Sequence, residues 1–175
     1  HDVAGLIAAI GGREAFVARL DRLFAEGRYW HGNEPSHHIA YLYDHAGAPW
    51  RTQEEVRRVL ANEYGLGPAG LKGNDDTGQM SAWYVFSAIG LYPVSPGSPH
   101  YEIGSPLFEE ARIDVGGGRT FTVRAPGASA FCVVIATISS AKRKVERIPA
   151  ARAAGTRWPR VPTAEVGEYW PLVSP

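Results

Sequence analysis

The segment from Thr77 to Gly90 sets the tightest limit on how this chain can fold. Met80, Trp83, Tyr84, Val85, Phe86 and Ile89 leave it almost no polar face, and a helix that is apolar all round is a buried helix. Such a helix needs neighbours on every side, and the remaining helical candidates are too few to close around it. The 175 residues are therefore expected to be the end of a larger helical array joined to part of a β-domain. The missing initiator methionine and a start within a helical pattern point the same way.

The other elements read as follows. Residues 3–10 are apolar and small, Gly11-Gly12 breaks the run, and Arg13 to Glu26 carries Phe16, Leu20, Leu23 and Phe24 at helical spacing. Gly27 is placed to end that helix. Residues 35–46 are predicted as a third helix, opened by Pro35 and closed by Gly47. Thr52-Gln53-Glu54-Glu55 reads as a capping box that opens a helix to about Tyr64, with Val56, Val59 and Leu60 on one stripe. Past Pro93, Pro96 and Pro99, alternating runs at 111–115 and 119–125 flank Gly116-Gly117-Gly118, which predicts a hairpin. Helices first and strands second give an α+β chain or two abutting domains.

Composition removes several functions. No apolar run reaches 18 residues, so no membrane-spanning helix is expected. The N-terminus lacks the pattern of a signal peptide. A lone cysteine, Cys132, allows neither an internal disulfide nor a cysteine metal cluster. The formal charge of zero argues against a nucleic-acid partner. That zero is uneven, because residues 1–140 hold fifteen acidic and eleven basic side chains while residues 141–160 hold seven basic and one acidic. A mildly acidic body suits a hard cation or a neutral substrate.

Two polar clusters could carry chemistry. The first, Gly32-Asn33-Glu34-Pro35-Ser36-His37-His38, offers a carboxylate, an amide and two imidazoles. The same residues also suit a helix start for capping and dipole reasons alone. The second, Asn74-Asp75-Asp76-Thr77-Gly78-Gln79, follows a Gly-rich connection and sits on the lip of the buried helix. Paired carboxylates there can share a cation or orient a water, or Asp76 can simply cap the helix. Trp83 and Tyr84 nearby suit a sugar site. These residues leave a carboxylate hydrolase and a non-catalytic calcium- or carbohydrate-binding helical module both open.

The uninterrupted run from Gly73 to Val94, GNDDTGQMSAWYVFSAIGLYPV, closely resembles the signature near the end of glycoside hydrolase family 92, the calcium-dependent, inverting, exo-acting α-mannosidases. His1 to Leu6, Gly32 to His37, Pro96 to Pro99 and Tyr101 to Phe108 are similar to that family too, so the likeness covers roughly residues 1–129. The resemblance implies terminal helices of a catalytic (α/α)6 barrel over 1–92 and strands packing on it over 93–129. It leaves 130–175 as a divergent basic tail, its composition suggestive of disorder or a shifted reading frame.

On the same resemblance, the Asn33 carbonyl, the Glu34 carboxylate and Asp76 look like Ca²⁺ ligands. Asp76, helped by Asp75 or Asn74, looks like the general base, and some relatives carry an acid where this chain has Asn74. His37, Gln79 and Trp83 are expected at the substrate, a glycan ending in α-linked mannose, α-1,2 foremost. The general acid matches no residue here and is expected upstream, in an N-terminal part of the same enzyme that would be the chain's partner. The family suggests a secreted or periplasmic protein.

Overall fold

The computed structural model describes residues 1–128 and 135–139, the latter as backbone. Five helices precede five short strands. Helices α1 (Val3–Ile10) and α2 (Arg13–Ala25) pack into one apolar cluster, and α1 ends where Gly11 turns left-handed at φ 105° and returns its N–H to Ala8. Helices α3 (Leu42–His45) and α4 (Pro49–Asn62) follow, then α5 (Gln79–Ile89). Strands β1 (Leu91–Tyr92) and β2 (Glu102–Ile103) make a two-stranded ladder. Strands β3 (Glu110–Asp114), β4 (Thr120–Arg124) and β5 (Ile135–Ser139) make an antiparallel sheet in the order β3-β4-β5.

Three apolar clusters hold these elements. Ile7, Phe16, Leu20, Leu42 and Tyr43 fill the space between α1, α2 and α3. Tyr41, Val56, Val59, Leu60, Trp83 and Tyr92 join α4 to α5 and β1. Leu91, Phe121, Val123 and Ala125 seat the sheet. The predicted hairpin forms, with Asp114 opposite Thr120 across the three glycines.

Four expectations need correction. The single helix over 35–46 is instead two 3-10 turns, Glu34–Ser36 and Ile39–Tyr41, followed by the one-turn α3. The reason is tertiary: the His37 carbonyl, the α-helical acceptor for the Tyr41 N–H, is taken by the Trp83 indole, and Tyr41 bonds His38 instead. The capping box is not one, because α4 begins at Pro49, whose fixed φ and missing N–H suit a first helical position. Thr52 and Glu55 lie within the helix, and Glu55 pairs with Arg58 at 2.7 Å.

The buried helix starts at Gln79 rather than Thr77, since Asp76 and Thr77 adopt left-handed φ of 49° and 58°. It is buried along Met80, Trp83, Ser87 and Ala88, whereas Val85 on the other face is 58% exposed. Within the segment assigned to a divergent tail, Ile135–Ser139 pairs in register with β4. Apart from those five residues, the predicted tail over 130–175 lies outside the described residues.

Candidate functional site

The two polar clusters, 40 residues apart in sequence, meet in space. Their backbones touch at Gly32 and Gly73: a Cβ on Gly32 would collide with the Lys72 carbonyl, and one on Gly73 with the Gly32 carbonyl. Gly73 also has φ +90°, which side-chain-bearing residues rarely adopt. No other residue type fits this crossing.

Asn33 and Glu34 stand exposed on one loop, and Asp75 and Asp76 on the other. The charges of Glu34 and Asp76 each favour the protonated form of the buried His37 imidazole. Burial outweighs them and the His31 carbonyl, so His37 is held below the ordinary histidine range. Among the described residues no hydrogen bond or ion pair ties down either carboxylate.

Asp75 differs from its neighbour. Its Oδ1 accepts from the Ser81 N–H at 3.0 Å and the Ser81 hydroxyl at 2.9 Å, and its carbonyl accepts from Gly78 and Met80. Asp75 is therefore occupied in fastening the turn. Asp76 is the one presented outward, on a left-handed backbone that costs a non-glycine residue roughly 1–2 kcal/mol. Thr77 beside it is β-branched and left-handed, an outlier of the kind that collects at functional sites.

Behind the loops lies an aromatic and histidine cage. Tyr29 Oη and His31 Nδ1 are 2.7 Å apart, His31 Nε2 and Tyr64 Oη 2.7 Å, and Tyr64 donates to the Met80 carbonyl at 2.9 Å. Burial, with His37 adding to it, pushes the His31 pKa down to about 3. His37 Nε2 donates to the His31 carbonyl at 2.9 Å, which leaves Nδ1 to face the Gln79 amide at 3.4 Å. That amide also reaches Tyr92 Oη at 3.3 Å.

Trp83 is fully buried. Its indole N–H donates to the His37 carbonyl at 2.9 Å, His31 meets its ring edge to face at 4.3 Å, and Tyr64 stacks on it at 5.9 Å. His37 and Trp83, both expected at the substrate, are enclosed here. Gln79 is half-buried at the base of the second loop.

Sequence reasoning missed Tyr29, His31 and Tyr64. A signal existed for the first two, because Tyr29, Trp30 and His31 alternate along an extended stretch, with Trp30 58% exposed and His31 buried. Nothing in the sequence pairs Tyr64 with a histidine 33 residues away.

The same chain matches known proteins in family and fold. Residues 1–158 match the glycosyl hydrolase family 92 catalytic domain, well past residue 129. A curated relative from Arthroderma benhamiae, described as an uncharacterized secreted glycosidase, is 39% identical over 125 residues, which is 71% of this chain and 16% of that protein. A family 92 α-mannosidase from Bacteroides thetaiotaomicron superposes with a TM-score of 0.63 at 46% identity, over 69% of this chain and 17% of that one. A family 92 inverting mannosidase from the same organism gives 0.68 at 41% identity, over 75% and 21%. These matches place the chain among the glycoside hydrolases. It belongs to glycosyl hydrolase family 92 and covers part of that catalytic domain. It spans about a sixth to a fifth of the length of these relatives.

Proposed function

We propose that this chain forms the closing corner of the catalytic (α/α)6 barrel of a calcium-dependent, inverting exo-α-mannosidase acting on glycans that end in α-linked mannose, α-1,2 foremost. The observation that carries this reading is the backbone crossing at Gly32 and Gly73, which brings the loop bearing Asn33 and Glu34 against the loop bearing Asp75 and Asp76. A solved family 92 mannosidase in complex with mannoimidazole, similar to this chain at 43% identity, supports a mannose-shaped ligand. The secreted description of the fungal relative supports export of the enzyme, and no described helix is long and apolar enough to cross a membrane.

The donor set fits calcium. Asn33 would offer a main-chain carbonyl and Glu34 and Asp76 carboxylates, all hard oxygens of the kind that ion takes. Among the described residues no group of three acidic, histidine or cysteine side chains gathers around one point, so sugar hydroxyls, water or other parts of the enzyme would complete the shell. When bound, the ion would hold hydroxyls of the terminal mannose and fix the ring against the loops.

Asp76 then serves as the general base. Its carboxylate takes a proton from water as the water oxygen bonds to the anomeric carbon, and the glycosidic bond breaks on the opposite face. The leaving oxygen receives a proton from an acid supplied by the N-terminal part of the enzyme, about 6.5–9.5 Å from the base in an inverting site. Configuration at that carbon inverts. Asp75 keeps the turn in place while Asp76 works.

The test is Asp76→Asn in the full-length enzyme, assayed on an aryl α-mannoside. A positioned base contributes about 10²–10⁴-fold, and a loss of that order with an unchanged thermal melt is expected. Wild-type turnover by Asp76→Asn would remove the base assignment, and full activity in EGTA would remove the calcium.

A further inference from the structure

We propose that His31 and Tyr64 are a positioning pair that sets the spacing between the loop bearing Glu34 and the loop bearing Asp76. The inference rests on the reading above for what the loops do, but its argument is geometric. The Tyr64 hydroxyl has one proton, and that proton goes to the Met80 carbonyl at 2.9 Å. The 2.7 Å contact with His31 Nε2 must then run the other way, ring N–H donating to the tyrosine oxygen. With its proton on Nε2, His31 accepts at Nδ1, and the Tyr29 hydroxyl donates there at 2.7 Å. Every proton in the chain has one place.

The Tyr64 oxygen sits where the two loops are rooted. His31 lies three residues before Glu34, and Met80 lies four residues after Asp76, in the first turn of α5. Tyr64 is itself held from three directions. Its ring stacks parallel to Trp83, it tilts against Tyr84 at 4.9 Å, and its backbone bridges to Leu71, just ahead of the second loop.

A phenylalanine would provide the same stacking. What the hydroxyl adds is a second directional link between these segments, beside the Trp83 indole bond to the His37 carbonyl and the glycine contact. Breaking either end of a buried polar chain leaves a partner unpaired in a low-dielectric interior and costs stability, so completeness of the chain matters. Here it is complete, with His31 and Met80 both fully buried.

The experiment compares Tyr64→Phe with Tyr29→Phe in the full-length enzyme. Each removes one hydroxyl from the same buried chain, but only Tyr64 connects the loops. Calorimetric titration of chelator-treated enzyme with CaCl₂ should show the dissociation constant rising about ten-fold for Tyr64→Phe, equivalent to about 1.4 kcal/mol. Its kcat should fall about ten-fold or more, and Tyr29→Phe should stay within about two-fold of wild type on both. Equal losses in the two variants, or none in a folded Tyr64→Phe, overturn the proposal.

Should Tyr64→Phe fail to fold, ¹⁵N imidazole spectra of the wild-type enzyme decide the matter. His31 must carry its proton on Nε2, and the opposite tautomer overturns the pair. Wild-type enzyme that takes up no calcium counts against the metal reading and leaves the pair to be judged on kcat.

Discussion

The loop crossing and the β3-β4 hairpin are built from similar material, glycines and charged residues in turns, yet they obey different rules. In the hairpin each local preference agrees with the structure. Three glycines with φ of 78°, 61° and 68° make the turn, Asp114 caps it by accepting from the Gly116 N–H, and the flanking strands pair in register. At the crossing, local preference is overruled. A helix is interrupted to give its carbonyl to an indole, and a threonine is held left-handed. Strain borne by a site and absent from the scaffold is the pattern expected where geometry serves chemistry.

The sharpest way to break this contrast is to place one methyl in each region. Gly73→Ala puts a Cβ against the backbone carbonyl of Gly32, where neither partner is a flexible side-chain end, at a φ of +90°. The loops must part, and a displacement of about 1 Å at a catalytic group can cost about 10²-fold in rate. We expect at least that loss in kcat/KM. Gly117→Ala, at φ +61° with only the Arg119 side chain near at 3.9 Å, should cost about 1 kcal/mol of stability and leave turnover unchanged. Matched kinetic losses in the two variants would erase the distinction between the regions.

The same contrast explains what could be read in advance. The hairpin was legible because period-two alternation and a glycine turn are local signals. Asn33, Glu34, Asp75 and Asp76 were legible as polar knots at helix starts and through the long run from Gly73 to Val94. The form of 35–46 was not, because it depends on an indole 46 residues away bonding the His37 carbonyl. The true start of α4 was available in Pro49, but the Thr-to-Glu spacing of a capping box outweighed it. The enclosure of Trp83, with His31 edge-on and Tyr64 stacked against it, is visible only in the packing.

Two carboxylates extend the comparison to electrostatics. Asp44, in α3, has both oxygens buried with no hydrogen-bond partner. Burial raises its pKa well above the carboxylate range, and the Glu102 charge adds to that. A carboxyl raised in the folded state stabilises fully below its unfolded pKa, and that contribution is lost as pH climbs through the folded value. Asp44→Asn, which mimics the neutral acid, should therefore stabilise the fold at pH 7 by on the order of 1 kcal/mol, seen as a higher melting temperature. The gain should shrink toward pH 4. A gain independent of pH would show that the Asp44 carboxyl does not titrate in that window.

Glu110 in β3 is the opposite case and the smallest effect expected. It is shifted below the carboxylate range mainly by the Arg124 hydrogen bond at 2.6 Å, with desolvation opposing it and Arg112 adding to the downward shift. By the same linkage, this contribution is present above the unfolded carboxylate pKa and fades as pH falls through the lowered one. The sign is therefore reversed from Asp44. Its size is another matter, because the pairs lie at the surface, where water and salt screen the attraction and ordering two long side chains offsets much of it. Glu110→Ala should leave the pH 7 melting temperature within measurement error, and added NaCl should not separate it from wild type. A drop comparable to the effect of Gly117→Ala would mean that the hairpin depends on its ion pairs rather than on its turn and buried face, and the rule drawn for this half of the molecule would fail.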